Sequence, residues 1–207
     1  MVAMRSRNYH DIIMIHFLNL SFMGDNLRNL RALTASVLDA FRQKDQKKLR
    51  KLYDHILKDA LVELTKPMND LAILSYILSK ILSKPRFLGK ENKQFFRQIE
   101  MDMRALLIAM SEENEREIEI SFAKISDSIN ALERVDRRFV RNLISKGKLK
   151  TAATMYAQGI SLGVASEMTG MSKQDVLDYA GKTMMFDRVK EEVSLKERLK
   201  NARRALE

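Results

Sequence analysis

Apolar residues along this chain recur at intervals of three and four, the spacing that lines one face of an α-helix. From Asn26 to about Gln43, Leu27, Leu30, Leu33, Val37, Leu38 and Phe41 follow that rule. Asp45 is placed to cap a second helix, whose apolar stripe runs through Leu49, Leu52, Tyr53, Ile56, Leu57, Ala60, Leu61 and Leu64. Its other face holds Lys47, Lys48, Arg50, Lys51, Lys58 and Asp59. Pro67 stands where a first helical turn tolerates proline. From Leu71 to Leu82 few charges interrupt the apolar residues, so this third helix is expected at the centre of a helical bundle. Lys84-Pro85 ends it, because proline pushes the preceding residue out of the helical region. Glu91 to Ser111 reads as a fourth helix, and Ser111-Glu112-Glu113-Asn114 resembles the capped, acidic start of a fifth. The fifth carries Ile118, Phe122, Ile125, Ile129, Leu132 and Val135. That seam is too short for a coiled coil and suits packing within the bundle.

The C-terminal part changes character. Between Arg134 and Lys150 seven cations stand against one acid, Asp136, a net +6, and Gly147 interrupts the segment. This marks a junction. Beyond it, Gly159 can close one helix in a left-handed cap and Ser161 can start the next. That short helix stops at Gly170, and Ser172 caps a third, with Asp175 in its first turn. Two short helices crossing steeply need small residues at the crossing, a glycine in the turn and apolar inner faces. Ala165 and Ser166, then Gly170, then Met171, Val176 and Tyr179 supply these in turn. The spacing matches a helix-turn-helix, with Ser166 in the place of the usual alanine.

The stretch Gly159-Ile160-Ser161-Leu162-Gly163-Val164-Ala165-Ser166-Glu167-Met168-Thr169-Gly170-Met171-Ser172 also resembles a family of small prokaryotic proteins, many of them archaeal and antitoxin-like. Their members carry a segment of the form GxISLGxAAELAGxS before a recognition helix. The likeness covers about 40 residues and leaves residues 1–148 outside it. It implies a helix-turn-helix and a role in transcriptional or toxin–antitoxin control.

After Gly181, Thr183-Met184-Met185-Phe186-Asp187 is expected either as an extended arm or strand that pairs with a partner subunit or as a loop folded onto the module. Ser194 then caps a final amphipathic helix with Leu195, Leu199, Ala202 and Leu206 on one side. At the other end of the chain, Ile12 to Phe22 is apolar but too short to span a bilayer, and no small-residue cleavage site follows it.

Composition agrees with an all-α fold. The 207 residues contain only 7 Gly and 2 Pro, too few turn formers for an all-β chain. The expected parts are an N-terminal extension (1–24), a helical bundle (25–134) and a C-terminal module (135–207) made of a basic linker helix, the helix-turn-helix and a last helix. There is no Cys, so disulfides, thiolate metal sites and Cys nucleophiles are excluded. A cytoplasmic protein without membrane attachment is expected.

No phosphate-cradling glycine loop, nucleophile elbow or kinase signature occurs. His10, His16 and His55 lack ligand-spaced partners, and the 13 Met sit mostly at core spacing. Neither an enzyme nor a cofactor is expected. The formal charge of +10 favours polyanionic partners. The candidate DNA contacts are Arg137, Arg138, Arg141, Lys146, Lys148, Lys150, Ser172, Lys173, Gln174 and Lys182, with further phosphate contacts from Arg198, Lys200, Arg203 and Arg204. Asp175 and Asp178 weaken that surface. The leading expectation is a DNA-binding transcriptional regulator that binds double-stranded DNA as a homodimer, because one short helix reads few base pairs. The alternative is an adaptor that takes a protein partner through the N-terminal bundle, with the helix-turn-helix only structural. RNA or ribosome binding is a third possibility, driven by the same charge.

Overall fold

The computed structural model describes residues 26–135 and 142–188. Among them there are helices and turns and no strand, so the protein is all-α. The chain divides into two compact units, residues 1–147 and 148–207. The division falls within one helix, beyond the change of composition at Arg134.

In the N-terminal unit, α1 spans residues 26–42. It is followed by α2 (Gln46–Glu63), α3 (Lys66–Leu82), two short 3-10 turns (Pro85–Leu88 and Lys90–Asn92), α4 (Lys93–Ser111) and α5 (Glu115–Val135). Asp45 caps α2 as the sequence indicates, accepting a hydrogen bond from the Lys48 amide at 2.8 Å. Leu64 turns into the left-handed region (φ 50°) to close it. α2 and α3 then pack side by side as an antiparallel pair. The Ser75 hydroxyl, fully buried, donates to the Leu49 carbonyl at 2.9 Å and fixes their register. The side chains of α3 are buried from Leu71 to Leu82 with two half-buried exceptions, Tyr76 and Lys80, which places it centrally.

α4 and α5 form the second close pair. Ile99, Met103 and Leu106 of α4 meet Ile118, Ile125, Ile129 and Leu132 of α5 in the core, all at most 4% exposed. One buried carboxylate ties them: Asp102 accepts from Ser128 Oγ at 2.5 Å and from Gln98 Nε2 at 2.9 Å. α1 joins through the stacked rings of Phe41 and Phe96, 5.2 Å apart and nearly parallel.

Two boundaries differ from the expectation. Ser111 does not cap α5; it is the last residue of α4, and its hydroxyl bonds back to the Leu107 carbonyl at 2.8 Å. Asn114 takes the capping place, accepting from the Glu117 amide at 3.2 Å after a left-handed turn at Glu113 (φ 53°). Glu91 belongs to a 3-10 turn, and α4 begins at Lys93.

The remaining helices are α6 (Leu143–Ala157), α7 (Leu162–Thr169), α8 (Lys173–Lys182) and α9 (Met185–Arg188). The Leu143 amide at the start of α6 donates to the Glu133 carboxylate of α5 at 2.6 Å. Gly147 does not interrupt the chain there. It lies inside α6, buried, because the absence of a side chain lets the backbone close on Ile77 and Ile73 of α3.

The expectation for Thr183–Asp187 as an extended arm or strand is also corrected. Met184 reverses the chain in a left-handed turn (φ 48°), and α9 folds back onto its own unit, where Met185 is 2% exposed. Met185 enters the core of that unit, while Met184 and Phe186 stay 68% and 52% exposed. The apolar run Ile12–Phe22 and the final helix expected after Ser194 lie outside the described residues.

Candidate nucleic-acid interface

The C-terminal unit is built around a small core of Ala152, Ala153, Val176, Ala180 and Met185. Leu149, Tyr156, Leu162, Met171 and Tyr179 pack against it. Each helix end has a local cause. Gly159 (φ 99°) closes α6, a backbone angle that residues with a Cβ avoid. Ser161 caps α7, its hydroxyl accepting from the Val164 amide at 3.2 Å. At the other end, Gly170 (φ 67°) forms the left-handed stop. Its amide bonds the Glu167 carbonyl and that of Met171 bonds the Ser166 carbonyl, the paired bonds of a Schellman cap. Ser172 caps α8, accepting from the Asp175 amide at 3.1 Å and donating to the Asp175 carboxylate at 2.6 Å. Three residues, Gly170-Met171-Ser172, thus join α7 to α8.

Ala165 and Val176 are fully buried where these elements meet, and Ser166 is 8% exposed. The Ser166 hydroxyl is buried and has no hydrogen-bond partner among the described groups.

The outward surface of α8 follows from its inner face. With Val176 and Ala180 buried, Lys173, Gln174, Leu177, Asp178, Gly181 and Lys182 are exposed. Gln174 Nε2 donates to Asp178 Oδ1 at 2.8 Å, so the amide that could read a base edge is held by a neighbouring carboxylate. The Ser172 hydroxyl is engaged in capping. Lys148 is half-buried, and Lys150 Nζ reaches Met185 Sδ at 3.3 Å. Lys146 is exposed and belongs to the N-terminal unit. Arg137, Arg138 and Arg141, and the C-terminal Arg198, Lys200, Arg203 and Arg204, lie outside the described residues. From Lys148 to Arg188 the sequence holds five cations and four acids, a net +1. The basic excess is therefore carried elsewhere.

Part of it lies in the N-terminal unit, where sequence reasoning proposed a protein partner but, Lys146 aside, no nucleic-acid contact. Arg50 of α2 and Lys84, in the turn that follows α3, both lie close enough to Lys80 of α3 to act on its charge. Lys80 Nζ lies 5.2 Å from the centre of the Tyr76 ring. The signal was present in the cationic face of α2, but only the pairing of α2 with α3 brings the two segments together.

A shallow groove in the same unit is lined by Arg28, Arg31, Ala32 and Ala35 of α1 and Leu107, Ile108 and Ser111 of α4. His55 lies 4.0 Å from Asp59. No group of three or more metal-ligating side chains occurs among the described residues, and none of their helices is long and apolar enough to cross a membrane. Comparison with protein-family models, curated proteins and solved structures finds no match to this chain.

Proposed function

We propose that the protein is a DNA-binding regulator in which α7 and α8 form a helix-turn-helix and α8 is the recognition helix. The observation that carries this is the α7–Gly170–α8 corner. Both helices are capped by serine side chains, the turn is a three-residue glycine stop, and a small-residue contact lies beneath. Such a corner holds one helix face out to solvent at a fixed angle, as major-groove readers require. On that face Lys173 and Lys182 suit phosphates and Gln174 suits an adenine edge. The net charge of +10 supplies the attraction to a polyanion. A homodimer would double the few base pairs one short helix reads, and the N-terminal helical bundle is the part proposed to dimerise or receive a signal.

A second reading, an all-helical adaptor, has its own support in the α1–α4 groove. Ile108, which lines it, is 59% exposed, and Met101, two turns earlier on α4, is 62% exposed, apolar surface suited to a partner helix.

Fluorescence anisotropy of random duplex DNA across a salt series separates the two. Under the DNA reading, log affinity falls linearly with log salt, at about 0.9 per phosphate contacted. A folded sample that fails to bind duplex at low salt would leave the adaptor reading.

A further inference from the structure

The N-terminal unit is electrically lopsided along its helices. At one end lie the start of α2, the end of α3 and the 3-10 turns that follow it. From Lys44 to Lys51 five cations stand against Asp45, and from Lys80 to Lys93 five stand against Glu91, a net +4 in each segment. The two segments are far apart in sequence and are brought together by the α2–α3 pairing that the Ser75–Leu49 hydrogen bond registers. Of the carboxylates here, Asp39 is paired with Lys48 at 3.0 Å and Asp45 is occupied as the α2 cap.

The other end is acidic. Glu63 and Asp59 share Asn29 there, Lys66 lies near Asp70 and Glu119, and Glu112, Glu113, Glu115 and Glu117 crowd the α4–α5 turn.

We propose that the basic end, centred on Arg50, Lys80 and Lys84, is a docking surface for the phosphodiester backbone of duplex nucleic acid. Lys80 lies over the Tyr76 ring in the last turns of α3 and Lys84 follows four residues on, while the Ser75–Leu49 bond and the Tyr53–Tyr76 ring contact at 5.3 Å hold the start of α2, with Arg50, alongside. Arg50 and Lys84 are exposed. Like charges gathered on one patch repel one another, and that repulsion is relieved when an anion binds. The protonation of Lys80 reflects the same crowding: burial, then Arg50 and Lys84, hold its ammonium below the usual lysine range. The surface is polar, and among the described residues the large apolar side chain exposed at this end is Leu88, at 37%. A lipid-inserting surface needs more apolar area than that. The acidic far end repels phosphates and orients the unit with its basic end toward them.

This surface rests on the proposed function only for the choice of duplex; its residues are independent of α8. The test uses the full chain and random duplex DNA over a salt series, with three variants. The first replaces Arg50, Lys80 and Lys84 by Gln. The second replaces Arg104, Arg116 and Lys124, all exposed, by Gln as a matched loss of charge. The third replaces Lys173 and Gln174 by Ala.

The first variant is expected to lose about 2.7 from the salt slope, and to bind on the order of a hundredfold more weakly near 0.1 M salt. The matched variant should keep the slope within about 0.9 of the parent. If the first and matched variants behave alike, the surface is overturned and only net charge acts. If the parent binds anionic vesicles as tightly as duplex, and loses both together in the first variant, the surface belongs to lipid and the proposal also falls. If the α8 variant alone changes binding, the helix-turn-helix reading stands without this surface; if only the first variant does, the reverse holds. Should the triple substitution disturb folding through Lys80, the exposed single changes Arg50→Gln and Lys84→Gln should each remove about 0.9 from the slope.

Discussion

Gly147 stands where Ile77 leaves no room for a side chain: a Cβ placed on it would sit 2.8 Å from Ile77 Cγ1 and 3.2 Å from Cδ1. Glycine in a helix interior normally costs about 1 kcal/mol relative to alanine. Here the contact reverses that preference. Ile77 is β-branched, 3% exposed and stiff about its first torsion, so Cγ1 cannot swing aside as the tip of a long side chain would. Gly147→Ala gains about 1 kcal/mol of helix propensity and meets overpacking of roughly 1–3 kcal/mol. A net loss of about 1 kcal/mol is expected in urea unfolding. Ile77→Ala removes both atoms, so the double variant should lose less than the sum of the two single losses. A more stable Gly147→Ala protein would show that the α3–α6 contact has slack.

What the sequence made legible follows from how local each signal is. The caps at Asp45, Ser161 and Ser172 and the stop at Gly170 are written in side chains that bond within three residues, and they lie where the pattern put them. The burial of α3 was legible for a similar reason, since a helix apolar on most sides has to be enclosed. Gly147 was misread because a glycine that breaks a helix and one that lets two helices touch look alike without the partner. Ser111 and Asn114 both suit a cap, and the turn at Glu113 decides between them. Of the two readings of Thr183–Asp187, the extended arm or strand gave way to a turn and α9 folded onto the module, where Met185 has a core to enter. Of the candidate DNA contacts, the cations of α8 reach solvent while Lys150 turns to Met185. The Arg50–Lys80–Lys84 patch depends on a pairing of helices that no local pattern records.

Ser166 offers a test of the α7–α8 corner. Its hydroxyl is buried and has no partner among the described groups, at a position where this kind of corner usually holds alanine. A buried hydroxyl without a hydrogen bond costs about 1–3 kcal/mol. Alanine removes that cost, leaves only a small void and is the better helix former. Ser166→Ala should stabilise the protein by about 1 kcal/mol in chemical denaturation. A loss of similar size would mean that the hydroxyl finds a partner in solution.

Glu63 gives a pH-dependent signature at the last turn of α2. Burial raises its pKa above 4.5, the Asn29 hydrogen bond lowers it, and the Asp59 charge raises it again. The sign follows from linkage. A carboxyl whose folded pKa is raised favours folding least when ionised, so it opposes stability above the unfolded value of 4.5 and is neutral well below it. The α2 C-terminal dipole acts in the same direction. Glu63→Gln should therefore raise the melting temperature at pH 7, and the gain should fade as the pH drops through 4.5. A gain that persists at pH 3 would assign the effect to packing instead.

Asp178 separates recognition by α8 from a merely structural corner. It lies on the exposed face of that helix, holds the Gln174 amide at 2.8 Å, and would carry its charge toward a phosphate backbone. Asp178→Ala removes the repulsion and frees Gln174, while both side chains lie outside the core, so folding should be little affected. A single unit charge near a phosphate in high dielectric is worth about 1 kcal/mol, so duplex affinity should rise roughly fivefold. Lys173→Ala should lower it and reduce the salt slope by about 0.9. Opposite changes from these two exposed residues, each larger than the same charge change gives elsewhere on the chain, place α8 at the duplex, because net charge alone would act alike from any exposed site and a general loss of stability would move both the same way. If anisotropy shows neither variant altering duplex affinity, α8 does not touch the duplex. The α7–α8 corner would then serve only as scaffold, and the α1–α4 groove would be the surface to probe next.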